Sequence, residues 1–353
     1  MAIKNLEDIY RDIGNKIYSP IYLLQGEEPY YIDYLSDLIE RSVLDEFEKE
    51  FNQTVVYGRD SEPLSLVSNL KRYPMMANYQ VVILKEAQDM RTGLAAKATE
   101  EKKDGKKENK SEPLLAYLEQ PLQSTVLVIC YKYKSIDKRS KIYKTIEKNG
   151  IVFDSKKLYD NKLPEWIEKF LSRKKIKIDP RASQLMADHI GNDLSRIANE
   201  CEKLSINVKQ GEIINLNHIE TNIGISKEFN VFELQDAIGK KDVLKANRIA
   251  NYFRQNPKTS PMPATIAFLY SYFAKLLVYQ SLADQTPGNV ASVLKINPFF
   301  VSQYSTAAKH YSMNKLQAII GYLKETDLKS KGVNHTGSDS EDLLRELIFK
   351  IMH

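Results

Sequence analysis

The sequence predicts an α/β amino-terminal domain built on a parallel sheet of about five strands, followed by a small all-α domain and an all-α carboxy-terminal bundle. Three observations predict it. Short apolar runs alternate with helical patterns at the start of the chain, strand signals stop at about Leu158, and the remainder reads as helix after helix.

The expected strands are residues 21–24, 53–57, 80–84, 125–130 and 151–153, each β-branched or otherwise apolar and bounded by polar or turn residues. Helices fill the gaps. Residues 31–47 repeat apolar side chains at helical spacing (Tyr31, Leu35, Leu38, Ile39), Pro63 opens a helix through Leu70, and 114–118 and 142–146 mark two more. Residues 92–112 turn to Lys, Glu, Asp, Gly and Ala with almost no large apolar residue, a composition expected of a mobile, solvated loop. These elements make a first domain over residues 1–157.

Pro164 then begins a helix with Trp166, Ile167, Phe170 and Leu171 on one face, and Asp179-Pro180 supplies an N-cap and first turn for the next, closed by Gly191. A third helix carries Leu194, Ile197, Ala198, Cys201 and Leu204 as one stripe, which completes a small domain over 158–224. Residues 225–353 hold longer amphipathic helices. The last is expected to enter through Ser338 and Glu341 in capping-box spacing, with Leu343, Leu344, Leu347, Ile348 and Ile351 facing inward.

A chain of 353 residues, 42% hydrophobic and 27% charged, can bury more than one core. Met1 to Asn15 mixes charges into every turn, and no stretch is read as approaching the roughly 20 uncharged apolar residues of a membrane helix, so a cytoplasmic protein with no membrane partner is expected. Cys130 ends an apolar run and Cys201 sits at a core-like helical position, as small hydrophobes would in a reducing compartment. His189 and His218 lie on separate segments without ligand spacing to either cysteine, so neither a metal site nor a cofactor is expected. The net charge of +5 is compatible with a phosphate-backbone partner without requiring one.

A strand, a glycine and a helix at the start of a parallel-sheet domain is where a phosphate-binding loop belongs, which invites a test at Gly26. Laying GxxxxGK[ST] on Gly26 puts Tyr31 at the second glycine, Ile32 at the lysine and Asp33 at the magnesium-binding hydroxyl. Glu27 and Glu28 add negative charge. A carboxylate about 4 Å from a phosphate charge costs roughly 1 kcal/mol in water and about 4 at an effective dielectric of 20. The third strand runs into Lys85 and Glu86 where a metal-binding acid pair would stand, and a lysine there repels a divalent cation. Strand–Gly–helix junctions occur in many α/β proteins, so on spacing alone this corner is equally an ordinary turn and a phosphate site that has lost its function.

At the start of the chain, Tyr22-Leu23-Leu24-Gln25-Gly26-Glu27-Glu28-Pro29-Tyr30 resembles the opening motif of bacterial DNA polymerase III clamp-loader delta subunits. Asp137-Lys138-Arg139-Ser140-Lys141 with Tyr143-Lys144 is similar to the segment after that family's fourth strand, and Gly191-Asn192-Asp193-Leu194 through Glu202-Lys203-Leu204 to its lid signature. Phe232 to Ile238, Asn297-Pro298-Phe299 and the ending from Asp327 to Ile351 look like their delta counterparts, so the likeness spans nearly the whole chain; 92–112 has no counterpart.

The resemblance implies a RecA/AAA+-like first domain without ATP chemistry, a helical lid and a helical collar. It implies a non-catalytic subunit that opens the sliding clamp (beta) within a hetero-pentamer with gamma/tau and delta-prime, on primed DNA. It places the clamp-gripping element in residues 71–78, Lys-Arg-Tyr-Pro-Met-Met-Ala-Asn, with Pro74, Met75 and Met76 at its tip. Read without the family, Met75 and Met76 would cap the local core at a helix–strand junction. A basic stretch, Lys132, Lys134, Lys138, Arg139, Lys141 and Lys144, reads as a contact for DNA or a neighbouring subunit, or as a solvated helix face. Two other readings of the whole chain stay open: an active AAA+ ATPase with an atypical nucleotide loop, and a helical scaffold with an α/β head.

Overall fold

The computed structural model describes residues 3–90, 94, 112–209, 211–226, 228–257, 260–333 and 342–353. The chain divides into two compact units, Met1–Leu158 and Tyr159–His353.

The first unit opens with a helix that the apolar pattern did not suggest, α1 (Leu6–Gly14). Asn5 caps it by accepting from the Asp8 N–H, and Ile9 and Ile13 bury its inner face. With two anchors among charged neighbours, its stripe is too narrow to stand out in sequence. Strand β1 (Ile21–Gly26) leads into α2 (Pro29–Val43), which starts on Pro29 with Glu28 accepting from the Tyr30 N–H. The single helix expected over 31–47 is two helices. Leu44 turns extended, and Asp45 and Glu48 form a capping box that restarts the chain as α3 (Glu46–Asn52).

Then follow β2 (Gln53–Tyr57), α4 (Pro63–Leu70), β3 (Gln80–Lys85), α5 (Glu112–Glu119), β4 (Thr125–Lys132), α6 (Lys141–Asn149) and β5 (Ile151–Ser155). All five strands are parallel, in the order β2-β3-β4-β1-β5. Alternate residues point to opposite faces, so the sheet buries both. Ile21, Leu23, Val82, Leu84, Leu127 and Ile129 pack under α4, α5 and α6, and Tyr22, Leu24, Val81, Ile83, Val126 and Val128 pack under α1 and α2. This is the expected α/β architecture, a parallel five-stranded sheet covered by helices on both faces. Of the segment 92–112, Leu94 is buried in the first of these cores and Glu112 opens α5; the remainder of the expected loop lies outside the described residues.

The second unit begins with α7 (Leu163–Arg173), α8 (Pro180–Ile190), α9 (Leu194–Asn207) and α10 (Leu216–Ile223). Asp179 and Asp193 cap α8 and α9, accepting from Arg181 N–H and Arg196 N–H. Strand signals do not stop at Leu158 as expected: β6 (Lys177–Ile178) and β7 (Ile213–Ile214) pair in parallel, each too short to register as a period-2 pattern.

The rest is helical: α11 (Val231–Gly239), α12 (Val243–Gln255), α13 (Met262–Ser281), α14 (Pro287–Leu294), α15 (Val301–Ala308), α16 (Met313–Ser330) and α17 (Leu343–Met352). The expected caps Ser338 and Glu341 lie outside the described residues, and Asp342 holds the N-cap position of α17. Helix α13 also corrects the reading of the sequence. It carries one charge, Lys275, in 20 residues and by length and composition alone is long and apolar enough to cross a membrane. Its Ile266, Leu269, Tyr272, Phe273, Leu276 and Tyr279 are buried in the core shared by α11–α17. A helix central to a bundle is apolar on most sides for that reason.

Candidate functional site

The carboxyl ends of parallel strands are where an open α/β sheet places its chemistry, and Gly26, Lys85, Lys132 and Ser155 end four of the five here. Gly26 sits opposite Lys132 on one side and Ser155 on the other. Its φ of +133° and its closeness to Ser155 explain why no side chain stands there: a Cβ would lie 2.0 Å from the Ser155 carbonyl oxygen. Gly26 thus serves strand packing.

The residues laid over the phosphate-loop pattern have other occupations. Tyr31 stands edge-on to Tyr30, ring centroids 5.3 Å apart. Ile32 is fully buried beneath the sheet, so the position where a lysine would reach for phosphate points into the core. Asp33 accepts an ion pair from Lys132 Nζ at 2.8 Å, and the same Nζ donates to Glu86 Oε1 at 2.9 Å. Glu86 is held in the left-handed region, φ 51°, just past Lys85 at the end of β3. The Lys132 backbone N–H is fixed in turn by Gln88 Oε1 at 3.0 Å.

A single ammonium therefore ties the strand ends to α2. Burial disfavours the charged lysine, but the hydrogen bonds it donates to Asp33 and Glu86 outweigh it and hold its pKa above the usual lysine range. Burial likewise works to raise Glu86, and the bonds from Lys132 and Gln88 bring its pKa below the usual glutamate range.

The Lys132 side chain is only 13% exposed, whereas Asp33 and Glu86 are 48% and 34% exposed. Lys132→Met is therefore expected to destabilise the first unit by about 1–2 kcal/mol, below the roughly 3–5 of a fully buried pair because solvent screens both carboxylates. The lysine's folded pKa lies above 10.5, so its contribution is complete below that pH and is lost as pH rises through the folded value. For Glu86, folded below 4.5, stabilisation is present above that pH and lost as pH falls through the lowered value. Urea unfolding of both proteins across this range checks the prediction; equal midpoints at neutral pH would contradict it.

The loop between α4 and β3 carries Pro74, Met75 and Met76. Neither methionine caps a core: Met75 is 58% and Met76 98% exposed, and Tyr73 beside them is exposed as well. The backbone beneath them is anchored. Asn52, 4% exposed at the end of α3, accepts from the Met75 N–H at 2.6 Å and donates through Nδ2 to the Met75 carbonyl at 2.9 Å and to the Glu48 carbonyl at 3.1 Å. Gln80, the first residue of β3, donates to the Arg72 carbonyl at 2.6 Å and to Thr125 Oγ1 at 2.7 Å, and Thr125 Oγ1 donates to the Leu70 carbonyl at 3.1 Å. Met76 follows in the left-handed region, φ 54°. Sequence reasoning did not find Asn52 or Gln80, because their roles depend on partners remote along the chain.

The basic stretch divides. Lys132 leaves the surface it was expected to share, since its side chain is turned into the Asp33–Glu86 pair. Lys134, Lys138, Arg139, Lys141 and Lys144 are exposed. Lys138 pairs with Asp154 at 3.0 Å, Arg139 with Asp137 at 3.0 Å and Lys141 with Glu119 at 3.0 Å. Exposed pairs of this kind are weak and exchangeable. Cys130 and Cys201 are buried, and burial pushes their thiols up to about 11 and about 12. No cluster of three metal-ligating side chains occurs among the described residues.

Comparison with known proteins reaches both units of the chain. Residues 22–156 match the family model described as DNA polymerase III, delta subunit, and residues 228–350 match that for the DNA polymerase III delta subunit, C-terminal domain. The DNA polymerase III subunit delta of Bacillus subtilis (strain 168) is 26% identical over 344 residues, 96% of this chain and 94% of that protein. Among solved structures, the Bacillus subtilis DNA clamp loader delta protein aligns with a TM-score of 0.53 at 23% identity, covering 98% of this chain and 99% of that one, a likeness of fold.

Proposed function

Because the chain belongs to the DNA polymerase III delta subunit family, a component of the clamp loader in DNA replication, we propose that it grips and opens the sliding clamp (beta) without hydrolysing ATP. The observation that carries the proposal is the solvent-facing Met75–Met76 pair on a backbone held by buried amides. Exposed large apolar side chains normally lose by staying in water, and two flexible, polarisable ones on a fixed loop suit an irregular apolar pocket on a partner.

The absence of ATP chemistry is supported by what stands in the phosphate corner. A buried Ile32 cannot neutralise a phosphate, and Lys132 is engaged by Asp33 and Glu86, acids that a bound magnesium would otherwise need. An active AAA+ ATPase would require both arrangements to come apart. In this reading the chain is a non-catalytic, cytoplasmic subunit that joins gamma/tau and delta-prime in a hetero-pentamer.

Its three parts are residues 1–157, 158–224 and 225–353. The division at 224 is supported by Gly224, which ends α10 with φ 81°, and by the separate β6–β7 pairing in the middle part. Contact with primed DNA or a neighbouring subunit falls to the exposed Lys134, Lys138, Arg139, Lys141 and Lys144; the solvent-exposed ion pairs of Lys138, Arg139 and Lys141 can give way to phosphate.

Mixing the full chain with the sliding clamp on a sizing column, with no nucleotide present, tests the proposal. A shared peak ahead of either protein alone is expected; separate elution at micromolar concentrations would contradict it, and would return the chain to the class of helical scaffolds.

A further inference from the structure

Nothing in the clamp-gripping assignment says how a nine-residue connection between α4 and β3 keeps two methionines in one arrangement while both stand in water. Short exposed loops ordinarily sample several conformations, and a partner that recognises one of them binds more weakly by the fraction of time it is populated. The structure contains a device that opposes this.

Both ends of the Asn52 amide are engaged, all three of its hydrogen bonds going to backbone groups, and two of the three are the N–H and C=O of Met75 alone. This closes a ring between α3 and the loop that fixes the peptide groups on both sides of the Met75 Cα. Met76 follows with φ 54°, a conformation that a non-glycine residue adopts only when its surroundings impose it. Gln80 holds the loop's other segment at the Arg72 carbonyl and is itself braced on Thr125. Asn52 is buried at 4% exposure beneath the loop, whereas Met76 is almost fully exposed, so a partner seated on the methionines would meet the loop and not the amide.

We infer that Asn52 is a positioning residue for clamp recognition: its amide holds Met75 and Met76 in the binding conformation before the clamp arrives. The inference rests on the reading of residues 71–78 as the clamp-gripping element. Asn52→Ala leaves the Met75 N–H and C=O to water and releases the loop. If the competent conformer falls to about a tenth of the population, clamp affinity falls about tenfold.

Asn52→Asp gives a sharper readout. The ionised carboxylate can accept from the Met75 N–H but repels the Met75 carbonyl, while the protonated acid has one donor and one acceptor and restores both bonds to Met75. Burial raises the pKa of such an acid. Clamp affinity of the Asn52→Asp chain is therefore expected to improve as pH is lowered from about 8 to about 5, relative to the unmodified chain over the same range, a response that a general loss of folding would not give.

The experiment measures sliding-clamp affinity of the full chain, of Asn52→Ala and of Asn52→Asp across that pH range, with hydrogen exchange at the Met75 amide followed in each. Expected are about tenfold weaker binding and rapid Met75 exchange in Asn52→Ala with β3 amides still protected, and recovery of Asn52→Asp at low pH. Affinity within about twofold of the unmodified chain despite rapid Met75 exchange would overturn the inference. So would continued protection of that amide in Asn52→Ala, or an Asn52→Asp chain whose pH profile parallels the unmodified one. Failure of the underlying assignment looks different: a Met75→Ala/Met76→Ala chain that binds the clamp normally removes the loop from the interface altogether.

Discussion

Replacing Met75 and Met76 together by alanine is expected to abolish measurable binding to the sliding clamp while leaving assembly with the sister subunits intact. Full burial of a methionine side chain contributes about 1.5–3 kcal/mol, so losing two removes roughly 3–6 kcal/mol, equivalent to about a hundredfold to ten-thousandfold in Kd. An interface of modest affinity does not survive that. The fold should not notice, because both side chains are exposed and the loop's hydrogen bonds to Asn52 use only main-chain atoms of Met75. A pulldown on immobilised clamp beside one on the sister subunits separates the two effects; clamp capture undiminished in the double variant would refute the role given to this loop.

The second large effect is expected from Gly26→Ala. Gly26 combines a φ of +133° with a neighbour that leaves no room, a Cβ falling 2.0 Å from the Ser155 carbonyl oxygen and 2.7 Å from its carbonyl carbon and its nitrogen. All three are backbone atoms of β5, which is hydrogen-bonded along β1 and cannot swing aside as a side chain could. Strain and displacement together are expected to cost more than about 4 kcal/mol, among the largest single-residue effects on stability. Urea unfolding followed in the first unit should show a midpoint far below that of the unmodified chain, or no cooperative transition. A loss below about 1 kcal/mol would mean that the β1–β5 junction tolerates a side chain and that Gly26 is not held there by packing.

Much of the first unit was legible because buried parallel strands announce themselves as continuous apolar runs. Strands β1 and β3–β5 start where the runs start, but each continues one or two residues further, into Gln25-Gly26, Lys85, Tyr131-Lys132 and Asp154-Ser155. Backbone pairing does not require an apolar side chain, and those polar extensions build the site. The break between α2 and α3 was hidden because Leu44 and Phe47 continue the apolar pattern while only the Asp45–Glu48 box signals a restart. Lys132 reads in sequence as one of a run of cations; only the sheet order, which sets β4 between β3 and β1, brings it to both Glu86 and Asp33. Asn52 was equally invisible, as an asparagine at a helix end whose partner lies across a strand, a helix and a loop.

A phosphate corner closed by its own ion pairs and an apolar grip displayed nearby in sequence are tested together by titration of the lone full chain with labelled sliding clamp, in the presence and absence of magnesium ATP. The same affinity under both conditions is expected, since Ile32 is buried where a phosphate-binding lysine would stand and Lys132 is held by Asp33 and Glu86. Binding that appears or strengthens only with magnesium ATP would mean that this chain's own nucleotide site works, which contradicts a corner closed to phosphate.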